Sequence, residues 1–91
     1  MSHYHLEIRI IPRPGILDPQ GKAIHHALRE LGYDGTEEVR VGKAINVELE
    51  AESEAEARET VDEMCRKLLA NPMTEEYEIS LVQATPAEAA S

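Results

Sequence analysis

Four histidines, one cysteine and a few charged residues at suggestive spacings are what this chain of 91 residues offers for chemistry. His3 and His5 share one face if the start of the chain is a strand, so both imidazoles could approach one metal ion. No third ligand lies nearby in sequence, and a pair of solvated histidines is the simpler expectation. His25 and His26 are adjacent, so on a helix they diverge by about 100° and do not share a ligand. Cys65 falls on an apolar helical stripe and reads as a small core residue rather than a nucleophile. Asp18, Glu37 and Glu38 could act as acids or bases, but no pattern sets two carboxylates across a pocket, and solvated charges explain them equally. There is no phosphate-loop pattern and no dinucleotide-binding glycine triplet. In Arg40-Val41-Gly42-Lys43, two cations flank a glycine within an apolar strand pattern. That arrangement protects an edge strand, or it forms a polar patch that docks on something acidic; the second reading is preferred here.

Leu17-Asp18-Pro19-Gln20-Gly21-Lys22 is the other unusual stretch. Asp18 is suited to cap a helix, since its carboxylate can accept the first free backbone N–H groups. Pro19 fits the first helical position, where a missing donor costs nothing. Gly21 weakens the first turn by about 1 kcal/mol relative to alanine. It marks either the close approach of another backbone or a tolerated small residue. Lys22 sits near the positive end of the helix dipole, where a cation is mildly disfavoured. Local rules bent in succession point to a functional surface.

The elements that must position these residues are few. A chain this short makes one domain with a small core, and with no Phe or Trp that core must be aliphatic. Small domains of this kind gain stability by association. A single cysteine excludes an internal disulfide and fits a reducing compartment. No apolar run approaches the ~20 residues of a membrane span, and the start lacks a signal-peptide pattern. A formal charge of −9 repels phosphate backbones and anionic lipid, so nucleic acid and membranes are poor partners.

Tyr4 to Pro12 alternates apolar and polar residues and predicts a strand. Residues 19–31 predict a helix, with Ile24, Ala27, Leu28 and Leu31 on one face and Gly32 as its C-terminal cap. Val39, Val41, Ile45, Val47 and Leu49 form a period-two pattern that two geometries satisfy. One is a three-residue loop at Gly42-Lys43-Ala44. The other is a single long strand bent near Gly42, whose far half would need a partner chain's strand. Ser53 to Ala70 predicts a helix with capping-box spacing and a buried stripe of Ala57, Val61, Met64, Cys65 and Leu68, stopped at Asn71-Pro72. Tyr77 to Val82 predicts the last strand. Residues 1–82 thus form one domain, followed by a flexible tail over 83–91. The order β-α-β(β)-α-β predicts an α+β two-layer sandwich. Its sheet is mainly antiparallel with both helices on one face, related to the ferredoxin-like pattern.

Taken in order, Leu17-Asp18-Pro19-Gln20-Gly21-Lys22-Ala23, Leu31-Gly32-Tyr33, Val39-Arg40-Val41-Gly42-Lys43, Leu68-Leu69-Ala70-Asn71-Pro72 and Tyr77-Glu78-Ile79 resemble the small PurS subunit of bacterial phosphoribosylformylglycinamidine synthase. The resemblance spans residues 4–82 and is weakest at Arg13-Pro14-Gly15. It implies a subunit of a cytoplasmic, ATP-dependent, glutamine-hydrolysing ligase of purine biosynthesis, which converts formylglycinamide ribonucleotide to the amidine. It implies no catalytic activity and no cofactor on this chain, because ATP and Mg act on the large ligase subunit while a glutaminase subunit releases ammonia. The small subunit joins the two and forms a homodimer. Asp18, Pro19, Gln20, Gly21, Lys22, Arg40, Gly42 and Lys43 are then the expected docking residues. Two other classes stand beside this reading: a regulatory α+β dimer that binds a small molecule, and a free-standing enzyme using the histidines.

Overall fold

In the computed structural model, residues 1–86 are described. The first strand organises everything else. Strand β1 (Ser2–Pro12) pairs antiparallel on one side with β2 (Lys43–Ala51) and on the other with β3 (Glu75–Thr85), giving the sheet order β2-β1-β3. Its alternation does what period two requires: Tyr4, Leu6, Ile8 and Ile10 are buried on one face. Cross-strand neighbours repeat the pattern. Ile8 lies between Ile45 and Ile79, and Leu6 between Val47 and Leu81. A bulge at His5/Leu6 lets β3 keep pace with the twist of the central strand.

Helix α2 (Glu54–Met64) covers the apolar face. Ser53 Oγ accepts the Glu56 N–H at 3.1 Å, as a capping serine should. Ala57, Val61 and Cys65 are fully buried against the sheet, beside Ala51 and Ala70. Their small side chains bring helix and sheet close together. The expected pairs Glu54–Arg58, Asp62–Arg66 and Glu63–Lys67 all form along the solvent side.

Three expectations change. The helix does not run as one α-helix to Ala70. Residues Cys65–Leu69 wind as a π turn, closed by Ala70 N–H donating to Cys65 O at 3.0 Å. The wider turn shifts the phase of the residues after it. Leu68, expected on the buried stripe, is therefore 83% exposed, and Leu69 and Ala70 turn inward instead. The region 39–49 forms neither the hairpin nor a long strand: β2 begins at Lys43, residues 36–42 are irregular, and the sheet has three strands. The last strand begins at Glu75 and runs past Val82 to Thr85, which pairs with His3. Residues 83–85 of the expected tail are thus sheet, and 87–91 lie outside the described residues.

Helix α1 (Pro19–Glu30) forms as expected, but the sheet does not cover its apolar stripe. Ile24 is 41% exposed, Leu31 73% and the preceding Leu17 71%. The α+β class holds, with α2 as the helical layer and α1 standing out as an arm. The radius of gyration is 17.4 Å, against about 12 Å for a compact chain of this length. No helix among the described residues is long and apolar enough to cross a membrane.

Candidate docking surface

Both unusual stretches of the sequence meet at the root of this arm. Asp18 caps α1: its Oδ1 accepts the Gly21 N–H at 3.0 Å. Its Oδ2 accepts the Val41 N–H at 2.9 Å, from 23 residues further along the chain. One carboxylate therefore starts the helix and fastens residues 36–42 against it. The backbone N–H of Gly21 and then that of Val41 hold the Asp18 carboxyl below its ordinary value, with Arg40 adding a smaller pull.

The open question about Gly21 closes in favour of close approach. Gly21 is buried, and a β-carbon there would overlap the Val39 carbonyl oxygen and the Asp18 carboxylate. Gly42 has the same kind of duty, because a β-carbon there would overlap the Ile10 carbonyl oxygen at the end of β1. Asp18, Gly21 and Gly42 are thus occupied by the fold itself. Pro19, Gln20, Lys22 and Lys43 are exposed and available, and Arg40 is half-buried.

Further along the arm, His25 Nε2 lies 2.8 Å from Thr36 O, and Arg29 Nη1 donates to the same oxygen at 3.4 Å. These polar staples tie α1 to residues 36–41. Between them lies an open cleft of about 380 Å³ whose walls include Leu17, Asp18, Lys22, His25, Glu38 and Arg40. Glu37 lines it too, so the fold gathers the three acids singled out as possible acids or bases. Asp18 is already committed to two backbone donors there.

The remaining candidates lie elsewhere. His3 and His5 stand on the polar face of the sheet; His3 Nε2 is 3.8 Å from Glu50 Oε1, and His5 Nε2 is 2.9 Å from Asn46 Oδ1. Among the described residues, no three metal-ligating side chains converge. Cys65 is buried, and that burial pushes its thiol up, with the nearby Asp62 carboxylate adding to it. The Tyr77 hydroxyl donates to Asp62, whose carboxyl is lowered first by that bond and then by Arg66. Asn71 is the stop it was expected to be: its Oδ1 accepts the Met73 N–H at 3.0 Å, and its carbonyl accepts the Glu75 N–H at 2.8 Å. Sequence reasoning missed Arg13, whose guanidinium donates twice to Pro72 O, at 3.1 and 2.9 Å, tying the foot of the arm to the turn before β3.

Residues 5–83 match the family model for PurS, phosphoribosylformylglycinamidine (FGAM) synthase. A PurS subunit of that synthase from Synechocystis is 50% identical over 78 residues, covering 85% of this chain and 78% of that protein. One from Methanocaldococcus jannaschii is 41% identical, covering 86% and 94%. Among solved structures, PurLQS from Thermotoga maritima aligns with a TM-score of 0.82 at 36% identity, covering 90% of this chain and all of the matched one. With an aliphatic sheet, a capped arm and the stretches 17–23 and 39–43 all inside the matched span, the chain belongs to the PurS family, the small subunit of phosphoribosylformylglycinamidine synthase.

Proposed function

We propose that this chain joins the ligase and glutaminase subunits of the synthase, so that ammonia released at one active site reaches the other without escaping to water. The observation that carries the reading is the arm. It presents an uncovered ridge of Leu17, Ile24 and Leu31, beside the cations Lys22 and Arg40, in a chain that belongs to this family. An apolar ridge of this kind marks a surface that meets protein. The Thermotoga maritima match, a structure of PurLQS, supports an assembly in which the small subunit sits with the others. Holding two sites in register and dry is a physical task that needs contact surfaces rather than reactive groups. ATP and Mg then act on the ligase subunit, and the work is done in the cytoplasm.

The chain works as a homodimer in this reading. The sheet face is only partly covered by α2, so Ile45, Val47, Ile79 and Leu81 remain half-buried. The α1 ridge of a second copy is the matching apolar surface, and joining the two would cover both. Of the eight expected docking residues, Gln20, Lys22, Arg40 and Lys43 are proposed as the contacts. Asp18, Pro19, Gly21 and Gly42 shape the surface that carries them.

The test is reconstitution. Purified ligase and glutaminase subunits from the same cell are assayed for glutamine-dependent amidine formation with and without this chain. The proposal expects activity only with it; equal activity on omission would overturn the reading. The cleft at the arm's root also keeps the regulatory alternative in view, and saturable binding of an amino acid by the isolated chain would favour that instead.

A further inference from the structure

We propose that Asp34-Gly35, in the turn that carries the chain back from α1, is a site of spontaneous covalent modification, where the aspartyl link converts to an isoaspartyl one. The Thr36 N–H donates to the Tyr33 carbonyl at 3.1 Å. This β-turn sets Asp34 and Gly35 at its central positions and leaves the Gly35 N–H out of the bond that closes it. Both residues are exposed. A β-carbon at Gly35 would meet nothing within 4 Å, so the fold does not require glycine here as it does at Gly21 and Gly42. The missing side chain has a chemical consequence instead: nothing shields the Gly35 nitrogen from the carboxyl group of the residue before it. In the reaction, Gly35 N bonds to Asp34 Cγ, and the amide proton leaves with the carboxyl hydroxyl as water. The resulting five-membered imide takes water back at either of its carbonyls. Opening at the Asp34 main-chain carbonyl breaks that carbon's bond to Gly35 N and leaves the chain running through Cβ and Cγ. Water is returned, so mass is conserved and no oxidant or other reactant is required. Nucleophile and carboxyl sit on adjacent residues, a proximity that no bimolecular attack has.

The other Asp and Asn side chains of the sequence are each disarmed. Asp18 and Asn71 precede Pro19 and Pro72, which have no N–H to attack with. The Asp18 carboxylate is also committed to the Gly21 and Val41 N–H groups. Asp62 lies within α2, and its carboxylate is held by Tyr77 and Arg66. Asn46 lies in β2 against His5, and the residue after it is the β-branched Val47. Position matters as much as reactivity. Thr36 O, two residues beyond Asp34, accepts from Arg29 at 3.4 Å and lies 2.8 Å from His25 Nε2. An isoaspartyl link adds a methylene to the main chain between α1 and that oxygen. The modification therefore loosens the arm and spares the sheet.

Ageing the full chain for weeks at neutral pH and physiological temperature tests this. Isoaspartyl groups are tagged by an isoaspartyl methyltransferase with labelled S-adenosylmethionine and located by mass spectrometry of the digested chain. Amide exchange is read on the same samples. The expected result is a tag that accumulates at Asp34 and is absent from Asp34→Glu, where the ring would need six members. Gly35→Ala, whose methyl group crowds the nitrogen, slows the tag on the order of tenfold. Amide protection falls over residues 19–41 in aged wild type, while β1 and the aged Asp34→Glu chain keep theirs. An aged wild-type chain with no tag at position 34, or with equal tagging at Asn46 or Asp62, would overturn the inference and leave the assembly reading standing. A tag at Asp34 with α1 as protected as in fresh protein would overturn the loosening of the arm.

Discussion

The sheet with α2 and the arm built on α1 are held by different forces. In the first region Leu6, Ile8, Ile10, Val61 and Cys65 are completely buried, and two antiparallel ladders satisfy the backbone. In the second, the one buried residue of the helix is Gly21, and it is buried by a backbone crossing rather than by a core. Polar staples position the arm: Asp18 to Val41, and His25 and Arg29 to Thr36. The difference is that the sheet with α2 carries the core, whereas the arm leaves its apolar ridge uncovered. Fully burying an exposed large aliphatic side chain contributes about 1.5–3 kcal/mol, and Leu17 and Leu31, still 71% and 73% exposed, hold most of that in reserve.

The comparison is broken most severely from the core side. Ile8→Ala removes a fully buried side chain between two strands and is expected to cost about 2–5 kcal/mol, read by urea denaturation of the far-UV signal. If Ile8→Ala cost no more than Leu31→Ala, expected within about 0.5 kcal/mol for the unassociated chain, the division would fail. Gly21→Ala comes next. The new β-carbon has to push Val39 away, at about 1–3 kcal/mol, and amide exchange should rise in residues 19–42 while β1 stays protected. Uniform loss of protection would mean that the arm and the sheet are one cooperative unit.

Ile24→Glu with Leu31→Glu sharpens the comparison. The unassociated fold should be unchanged, while self-association weakens tenfold or more, about 1.4 kcal/mol, in a sedimentation measurement. The smallest effect is local and pH-dependent. Asp18 has a folded value below its ordinary 3.8, so its contribution is present above that value and is lost as pH falls through the lowered one. The Val41 amide resonance should therefore titrate with a midpoint below 3.8, and Asp18→Asn should abolish the transition. A Val41 resonance insensitive to acid would show that the staple is absent in solution.

What could be read in advance divides along the same line. Alternation in Tyr4–Ile10 and Tyr77–Leu81, and the caps Asp18 and Ser53, are local signals, and the elements they predict are present. The reasons for Gly21 and Gly42 are contacts with Val39 and Ile10, distant in sequence, so composition could mark those glycines as odd but could not say why. The π turn was hidden for another reason: Cys65–Leu69 has good helix formers and no breaker, and the extra residue per turn shows only in which side chains end up inside. Region 39–49 stayed ambiguous because its apolar period fits several pairings, and the chain alone provides a ladder only from Lys43 onward. The motif around Arg40 could be flagged from its charges, but that Arg40 Nη2 is buried without an acceptor among the described residues is a property of the folded cleft.

The most direct test of the whole account compares two forms of this chain in the reconstituted synthase. Ligase and glutaminase subunits are supplied with wild type or with the Ile24→Glu, Leu31→Glu form, and glutamine-dependent amidine formation is measured. The account predicts full activity with wild type and loss of most of it with the variant, whose sheet remains folded by circular dichroism. Equal activity from both forms would contradict it.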